Sequence, residues 1–177
     1  LGSAVVAKAP PDGYALLVVS SAHTANPALY ASLPYDTAKE FRGITMLATL
    51  PLILVVAPSS NIRSVKDLLA LAKAKAGQIT YASSGVGSAL HMGSEKFRAM
   101  AGFEGVHVPY RGTPEALADV IAGRVDFAFI SIGNTLSPIK EGKLVALATS
   151  TAKRSRMLPD VPTTVEVGIA NSSYEPW

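Results

Sequence analysis

A loop of serine and glycine residues separates an apolar segment from a helical one. The stretch reads YASSGVGSALHM, residues 81–92, and the loop itself carries no charged side chain. A helix amino terminus offers unpaired N–H groups and about half a positive charge, enough to hold a carboxylate or phosphate. The loop predicts an uncharged anion-binding site, with a Ser-capped helix after a flexible turn as the alternative. Its members are Ser83, Ser84, Gly85, Gly87 and Ser88.

Two further polar loops also follow an apolar segment and precede a helical one. In VPYRG, Arg111 could form two hydrogen bonds with a carboxylate and Tyr110 could form a pocket wall. An exposed Arg and a half-buried Tyr are the alternative. In SSAHTANP, residues 20–27, His23 could donate to a ligand, although a single His is more often structural. Three loops of this composition together favour a small-anion site.

Other site chemistries find no support in the motifs. No Gly-Lys-Ser/Thr follows the first loop, so it is not a phosphate-binding P-loop. The Gly85-Val-Gly sequence lacks the central Ser of a nucleophile elbow. His91 follows Ser88 by three residues, but no acid is evident to complete a catalytic triad. The three histidines show no metal-ligand spacing, so no metal and no cofactor is predicted.

Composition limits the class of protein. The 177 residues are 49% hydrophobic and 16% charged, which favours a packed globule. The net charge is +3, but basic residues alternate with acids, as in Lys66–Asp67, so no nucleic-acid surface is predicted. The absence of cysteine excludes disulfides and thiolate catalysis.

The elements that position these loops are predicted to alternate between strand and helix. This alternation indicates an α/β fold with a mainly parallel sheet, whose ligands bind beyond the carboxyl ends of strands. The predicted strands are 14–19, 44–50, 52–57, 79–83, 106–109, 126–132 and 143–149. The predicted helices begin at Asn26-Pro27, at the capping box of Ser64, at Ser88, at Thr113, at Asn134 and at the capping box of Thr163.

At these same loops the sequence resembles the periplasmic solute receptors of the tripartite tricarboxylate transporter family, the Bug proteins. The motifs are PDGY, NPALY, LPYD, YASSGVGS, VPYRG and LPDVPT, and they occur in the family's order over nearly the whole chain. The resemblance implies a periplasmic-binding-protein-like type II fold with two α/β lobes, the first incomplete in this chain. It assigns residues 1–50 to the first lobe, 51–145 to the second, and 146–177 to a return segment.

The resemblance also implies which residues contact the solute. Such receptors are expected to hold one carboxylate with backbone amides and hydroxyls, while the rest of the pocket selects the solute. Ile130 and Ser131 stand where many relatives have an acidic or polar residue. This favours di- or tricarboxylates or aromatic acids over amino acids. The implied site is Ser20, Ser21, His23, Asn26, Ser83, Ser84, Gly85, Gly87, Ser88, Tyr110, Arg111, Gly112 and Ser131.

The expected protein is an extracytoplasmic receptor that captures a small carboxylate and delivers it to the family's membrane permease. It is not expected to be an enzyme, and its location is expected to be periplasmic although no signal peptide is visible. The effector-binding domain of a transcription regulator with the same fold is the alternative. The family's opening strand and closing segment are expected outside residues 1–177. Uncovered sheet edges would then favour a dimer or a domain swap.

Overall fold

The protein forms two compact units in this computed structural model, which describes residues 2–177. The first unit consists of residues 2–49 and Trp177, and the second of residues 50–176. The segment 146–176 groups with the second unit by its contacts within this chain. Its first strand pairs within that unit, and the Tyr174 N–H donates to the carbonyl of Ser150.

A five-stranded mixed sheet forms the second unit. Its strands are β1 Leu52–Val56, β2 Thr80–Ser83, β3 Val106–Pro109, β4 Phe127–Ser131 and β5 Val145–Thr149. The spatial order is β3-β2-β4-β1-β5. Strand β2 is parallel to β3 and β4, whereas β1 is antiparallel to β4 and β5. Four strands therefore share one direction, which confirms the predicted mainly parallel α/β architecture.

Four helices connect these strands, and the predicted caps explain where two of them begin. They are α3 Val65–Ala74, α4 Ala89–Ala101, α5 Thr113–Ile121 and α6 Ile132–Lys140, and a 3₁₀ turn covers Pro58–Ser60. Ser64 Oγ accepts from the Asp67 N–H at 3.1 Å, as a capping box requires. The Asp67 carboxylate, however, accepts from Arg63 N–H, one residue before the cap.

The core of the second unit lies around β1, whose five residues are all buried. A strand buried on both faces is expected to be a continuous apolar run, and the sequence here is LILVV. Phe97 of α4 packs edge-on against Phe129 of β4, with ring centroids 5.4 Å apart. Both α4 and α5 pack on β2 and β4, which holds the amino termini of these helices against the sheet.

The first unit contains two helices, α1 Gly2–Ala7 and α2 Ala22–Leu29, and no strand among its described residues. The strand predictions for 14–19 and 44–50 are therefore wrong. A strand needs a partner strand for its backbone groups, and neither segment pairs with a strand among residues 2–177, although the Leu50 N–H donates to the Pro176 carbonyl at 2.7 Å. The apolar side chains are consequently exposed, with Tyr14 at 94% and Val18 at 76%.

Three helix predictions also differ from the structure, one of them only in its start, since α6 begins at Ile132 and not at Asn134. Helix α2 begins at Ala22, before Asn26-Pro27, because backbone bonds from His23 and Thr24 to the carbonyls of Ser20 and Ser21 form an earlier first turn. Pro27 then lies inside the helix.

At Thr163 the capping-box bonds with Glu166 form, at 2.8 and 3.0 Å, but only a turn follows. Gly168 has a φ of +95°, and the Ile169 N–H bonds to the carbonyl of Thr164. These two features end the helical path after one turn.

Candidate functional site

The carboxyl ends of β2, β3 and β4 meet at one edge of the sheet. Ser83 is the registered partner of Pro109, and Ala82 is that of Ala128. Each of the three strands is followed by a helix, α4, α5 or α6 respectively. Because the strands are parallel, the three helices begin at this shared edge. The loops singled out in the second unit are thus brought together.

The 83–88 loop, residues Ser83 to Ser88, connects β2 to α4. Gly85 and Gly87 have φ values of +120° and +78°, which residues with a Cβ rarely adopt. Ser88 Oγ accepts from the His91 N–H at 3.2 Å and so caps α4. Ser84 is half-buried in the loop. The glycines therefore shape the loop, and Ser88 performs the capping role that was the alternative to ligand binding.

Ser83 is fully buried, and its hydroxyl is engaged by the protein. Its Oγ accepts from the Gly85 N–H at 3.1 Å and lies 2.6 Å from Nε2 of His107. No carboxylate bonds to the His107 ring among residues 2–177, so the pair is not part of a triad. Ser83 therefore supports the loop from within.

His107, which the sequence motifs did not single out, contacts the 83–88 loop through Ser83. It is the registered partner of Tyr81, and the two rings stack with centroids 5.2 Å apart. Both residues stand two positions before the ends of adjacent strands. Assuming parallel pairing of those strands would have placed His107 under the 83–88 loop.

His91 stacks on His107, with ring centroids 4.1 Å apart and ring planes at 27°. The backbone N–H of Gly87 donates to Nδ1 of His91 at 3.2 Å. Burial lowers the pKa of both imidazoles, and the pKa of His107 is lowered further by the proximity of His91. The two neutral rings thus lie against the underside of the 83–88 loop.

A charged cluster lies beside the histidines. The Glu95 carboxylate accepts from Arg98 Nη2 at 2.9 Å and from the Tyr81 hydroxyl. The Arg98 guanidinium is the main cause that lowers the pKa of Glu95, and burial raises the pKa of Tyr81. Glu95 is therefore ionised and paired at neutral pH, and its charge is largely neutralised by Arg98.

The β3–α5 loop contributes three predicted residues. The Tyr110 N–H donates to the Ser83 carbonyl at 2.9 Å, which joins this loop to the 83–88 loop. The Tyr110 hydroxyl donates to Asp119 Oδ2 at 2.6 Å, and burial together with this bond raises its pKa to about 12. Arg111 is exposed, and Gly112 is the N-cap of α5 without a side-chain cap.

Ser131 ends β4 and is the N-cap residue of α6. Its hydroxyl accepts from Asn134 Nδ2 at 2.8 Å, and α6 has no side-chain cap. The Ile132 N–H donates to the Pro51 carbonyl at 3.0 Å, which places the start of β1 at this edge too.

The first unit holds the remaining predicted site residues around the start of α2. Asn26 donates to the Tyr35 hydroxyl at 3.0 Å, and the His23 ring stacks on Tyr35 and meets Phe41 edge-on. Both ring nitrogens of His23 and the Ser21 hydroxyl are buried without a hydrogen-bond partner among residues 2–177. Ser20 is exposed. Buried polar atoms are usually paired, so these two side chains have unused hydrogen-bonding capacity.

Other features of the described residues bear on alternative chemistries. No cluster of three His, Asp or Glu side chains suited to a metal ion occurs within residues 2–177. None of the helices described there combines the length and apolarity needed to cross a bilayer. Each unit has a shallow surface depression: that of the second unit is lined by α3 and residues 167–169, and that of the first unit by residues between Thr24 and Glu40.

The sheet topology and the loops at its edge are those of a periplasmic solute-binding protein, and the comparisons identify the family. Residues 1–177 match the family model described as "Tripartite tricarboxylate transporter family receptor". This chain belongs to that family, as the sequence motifs predicted. The predicted type II fold is confirmed by the solved structures that resemble it.

Several relatives match nearly the full chain. A UPF0065 protein in the tcbD–tcbE intergenic region of Pseudomonas sp. (strain P51) is 37% identical over 94% of this chain and 49% of its own length. Protein BugT of Bordetella pertussis is 32% identical over 100% of this chain and 55% of its own length. The chain thus spans about half the length of these curated relatives.

Two similar solved structures contain a dicarboxylate. R. palustris Rpa4515 with adipate is 32% identical, with a TM-score of 0.89 over 99% of this chain and 59% of its own. MatC from Rhodopseudomonas palustris with bound malate is 26% identical, with a TM-score of 0.87 over 99% of this chain and 60% of its own.

Proposed function

We propose that this chain is part of a periplasmic receptor that binds a small carboxylate and delivers it to a membrane permease of the tripartite transporter. The observation that carries the proposal is the convergence of the α4, α5 and α6 amino termini at one sheet edge. Helix amino termini stabilise anions by their N–H groups and partial positive charge. The family membership and the adipate and malate structures support the same ligand class.

The proposed carboxylate contacts in the second unit are those that the fold leaves available. They are the backbone of the 83–88 loop, the exposed Arg111 and the N-cap positions Gly112 and Ser131. Ser20, Ser21, His23 and Asn26 are proposed as further contacts from the first lobe. Ser21 and His23 support this assignment by their unpaired buried atoms.

The proposed solute is a di- or tricarboxylate or an aromatic acid. An ammonium group is best bound by an acidic side chain, because a carboxylate compensates its charge. Position 131 offers a hydroxyl that already accepts from Asn134. An amino-acid solute is therefore disfavoured by this side of the site. The proposed role needs no chemical step, because a receptor only binds and releases its solute.

Calorimetric titration of adipate and malate into the protein that contains this chain tests the proposal. The double variant Ser88→Ala with Arg111→Ala is expected to lose at least tenfold in affinity, about 1.4 kcal/mol. Ser64→Ala is the matched control, since it removes the same kind of helix cap from α3. Unchanged affinity in the double variant, or an equal loss in Ser64→Ala, would contradict the site. Failure of every di-, tri- and aromatic carboxylate to bind would contradict the function.

A further inference from the structure

We infer that His91 and His107 are positioning residues for the 83–88 loop, and that His91 holds the loop in its binding shape only while its imidazole is neutral. The effect on ligand affinity rests on the proposed function, whereas the effect on the loop does not. The consequence is a receptor whose affinity for a carboxylate falls on mild acidification. Neither residue needs to contact the solute for this effect.

The contact between His91 and Gly87 defines the required protonation state. A backbone N–H can only donate, so His91 Nδ1 must accept at the observed 3.2 Å. In the neutral ring the proton then resides on Nε2. Protonation would place a second N–H against that of Gly87, and the bond would be lost. Gly87 is buried, so its amide has no ready access to water as a replacement.

The contact between His107 and Ser83 supports the same loop from the neighbouring strand. The Ser83 hydroxyl lies 2.6 Å from His107 Nε2 and also accepts from the Gly85 N–H. A hydroxyl can accept from the ring or donate to it. This bond therefore persists whether or not Nε2 carries a proton, and it also persists when the ring is charged. Of the two histidines, His91 is therefore the one whose loop contact fails on protonation.

The surroundings of the pair oppose its protonation. Glu95 on α4 is the negative group that favours a positive charge there, but Arg98 on the same helix neutralises it. Tyr81 on β2 is neutral, and Glu104 after α4 bonds to Arg98 rather than to a histidine. Two imidazolium rings with centroids 4.1 Å apart would repel each other. The ring of His91 thus becomes charged only below the usual pKa of about 6.5. When it does, the hydrogen bond from Gly87 is lost.

The sign of the pH effect separates this arrangement from simple charge attraction. A histidine that bound the solute directly would gain positive charge on acidification and would bind an anion more tightly. The inferred role of His91 predicts affinity that is constant above about pH 6.5 and falls as the pH is lowered further and the ring becomes protonated.

The variants His91→Asn and His91→Leu test the inference. Asn places an amide oxygen near the position of Nδ1, so it keeps an acceptor for Gly87 but does not titrate. Leu keeps the approximate bulk and removes the acceptor. His91→Leu is expected to speed hydrogen exchange of the Gly87 amide at least tenfold and to weaken adipate binding at least fivefold. His91→Asn is expected to keep both within about threefold and to abolish the pH dependence.

Nitrogen-15 NMR of the histidine rings gives a readout that needs neither a variant nor a ligand. The expected result is a neutral His91 with its proton on Nε2. A proton on Nδ1, or unchanged Gly87 exchange in His91→Leu, would overturn the inference. If exchange and tautomer behave as expected while no carboxylate binds, the positioning role stands and the proposed function fails. If adipate binds more tightly at the lower pH, the positioning role fails and the function stands.

Discussion

Tyr110 and Asp119 connect the β3–α5 loop to the later part of the helix that follows it. The Tyr110 hydroxyl donates to Asp119 Oδ2 at 2.6 Å, while Arg124 binds the other carboxylate oxygen. The backbone N–H of Tyr110 meanwhile donates to the carbonyl of Ser83. One residue thus ties two of the strand-end loops and α5 into a single arrangement.

Tyr110→Phe is expected to lower the free energy of unfolding by about 1 kcal/mol, because it removes a hydrogen bond to a charged group. This loss is smaller than is usual for a hydrogen bond to a charged group, because Asp119 remains paired with Arg124 and is partly exposed to water. Chemical denaturation measures the change. Tyr14→Phe is the control, since Tyr14 is 94% exposed and should change stability by less than the error. Equal effects of the two substitutions would contradict the role of the Tyr110 bond.

Gly87 and Gly102 offer a matched test of loop shape at the two ends of α4. Both have left-handed backbones, with φ values of +78° and +70°. Replacement by Ala is expected to lower stability by about 1 kcal/mol at either position, because a Cβ disfavours this conformation. Only Gly87→Ala should also weaken carboxylate binding, since Gly102 lies at the opposite end of the helix. Denaturation and calorimetric titration together distinguish the two effects, and an equal affinity loss in Gly102→Ala would contradict the site.

Most of the second unit, apart from the turn that replaces the helix predicted at Thr163, could be predicted from the sequence because its signals are local. Ser64 and Ser88 cap their helices, and the strands β1, β4 and β5 are mainly apolar segments. The first unit could not, because the apolar runs at 14–19 and 44–50 become strands only if another segment pairs with them. Sequence periodicity reports which side chains prefer burial, and it does not report whether a backbone partner is present.

In the candidate site too, the features determined by local sequence were predictable and the long-range contacts were not. The glycines and the N-cap positions were predictable, since they follow from backbone conformation within a few residues. The stack of His91 on His107 was not, because it depends on the register of β2 against β3 and on the direction in which α4 leaves the loop. Contacts between elements that are distant in sequence depend on the tertiary structure, which a single sequence does not reveal.

Gly93 and Gly133 test how closely α4 packs on the sheet. A Cβ on Gly93 would lie 2.8 Å from Leu52 Cδ1 and 3.2 Å from Tyr174 Cδ1, whereas one on Gly133 would meet no atom within 4 Å. Ala is normally favoured over Gly in a helix by about 0.5–1 kcal/mol. Gly133→Ala should therefore raise the thermal midpoint slightly. Gly93→Ala should lower stability by about 1–3 kcal/mol, the usual cost of overpacking, and a stabilised Gly93→Ala would show that this contact relaxes freely.

Glu95 should make stability depend on pH in the acidic range. Its pKa is lowered in the folded protein, mainly by Arg98, so the folded state binds the proton less readily than the unfolded chain does. The stabilisation is therefore complete above the unfolded value of about 4.3 and is lost as the pH falls through the folded value. Urea unfolding from about pH 3 to about pH 7 should show Glu95→Gln less stable than wild type at neutral pH and equal to it at the acidic end. Glu104→Gln is the control, since Glu104 also bonds to Arg98 but is 82% exposed, and its pH profile should follow wild type. A constant difference between Glu95→Gln and wild type at every pH would show that the lost stability comes from packing and not from the ionised pair.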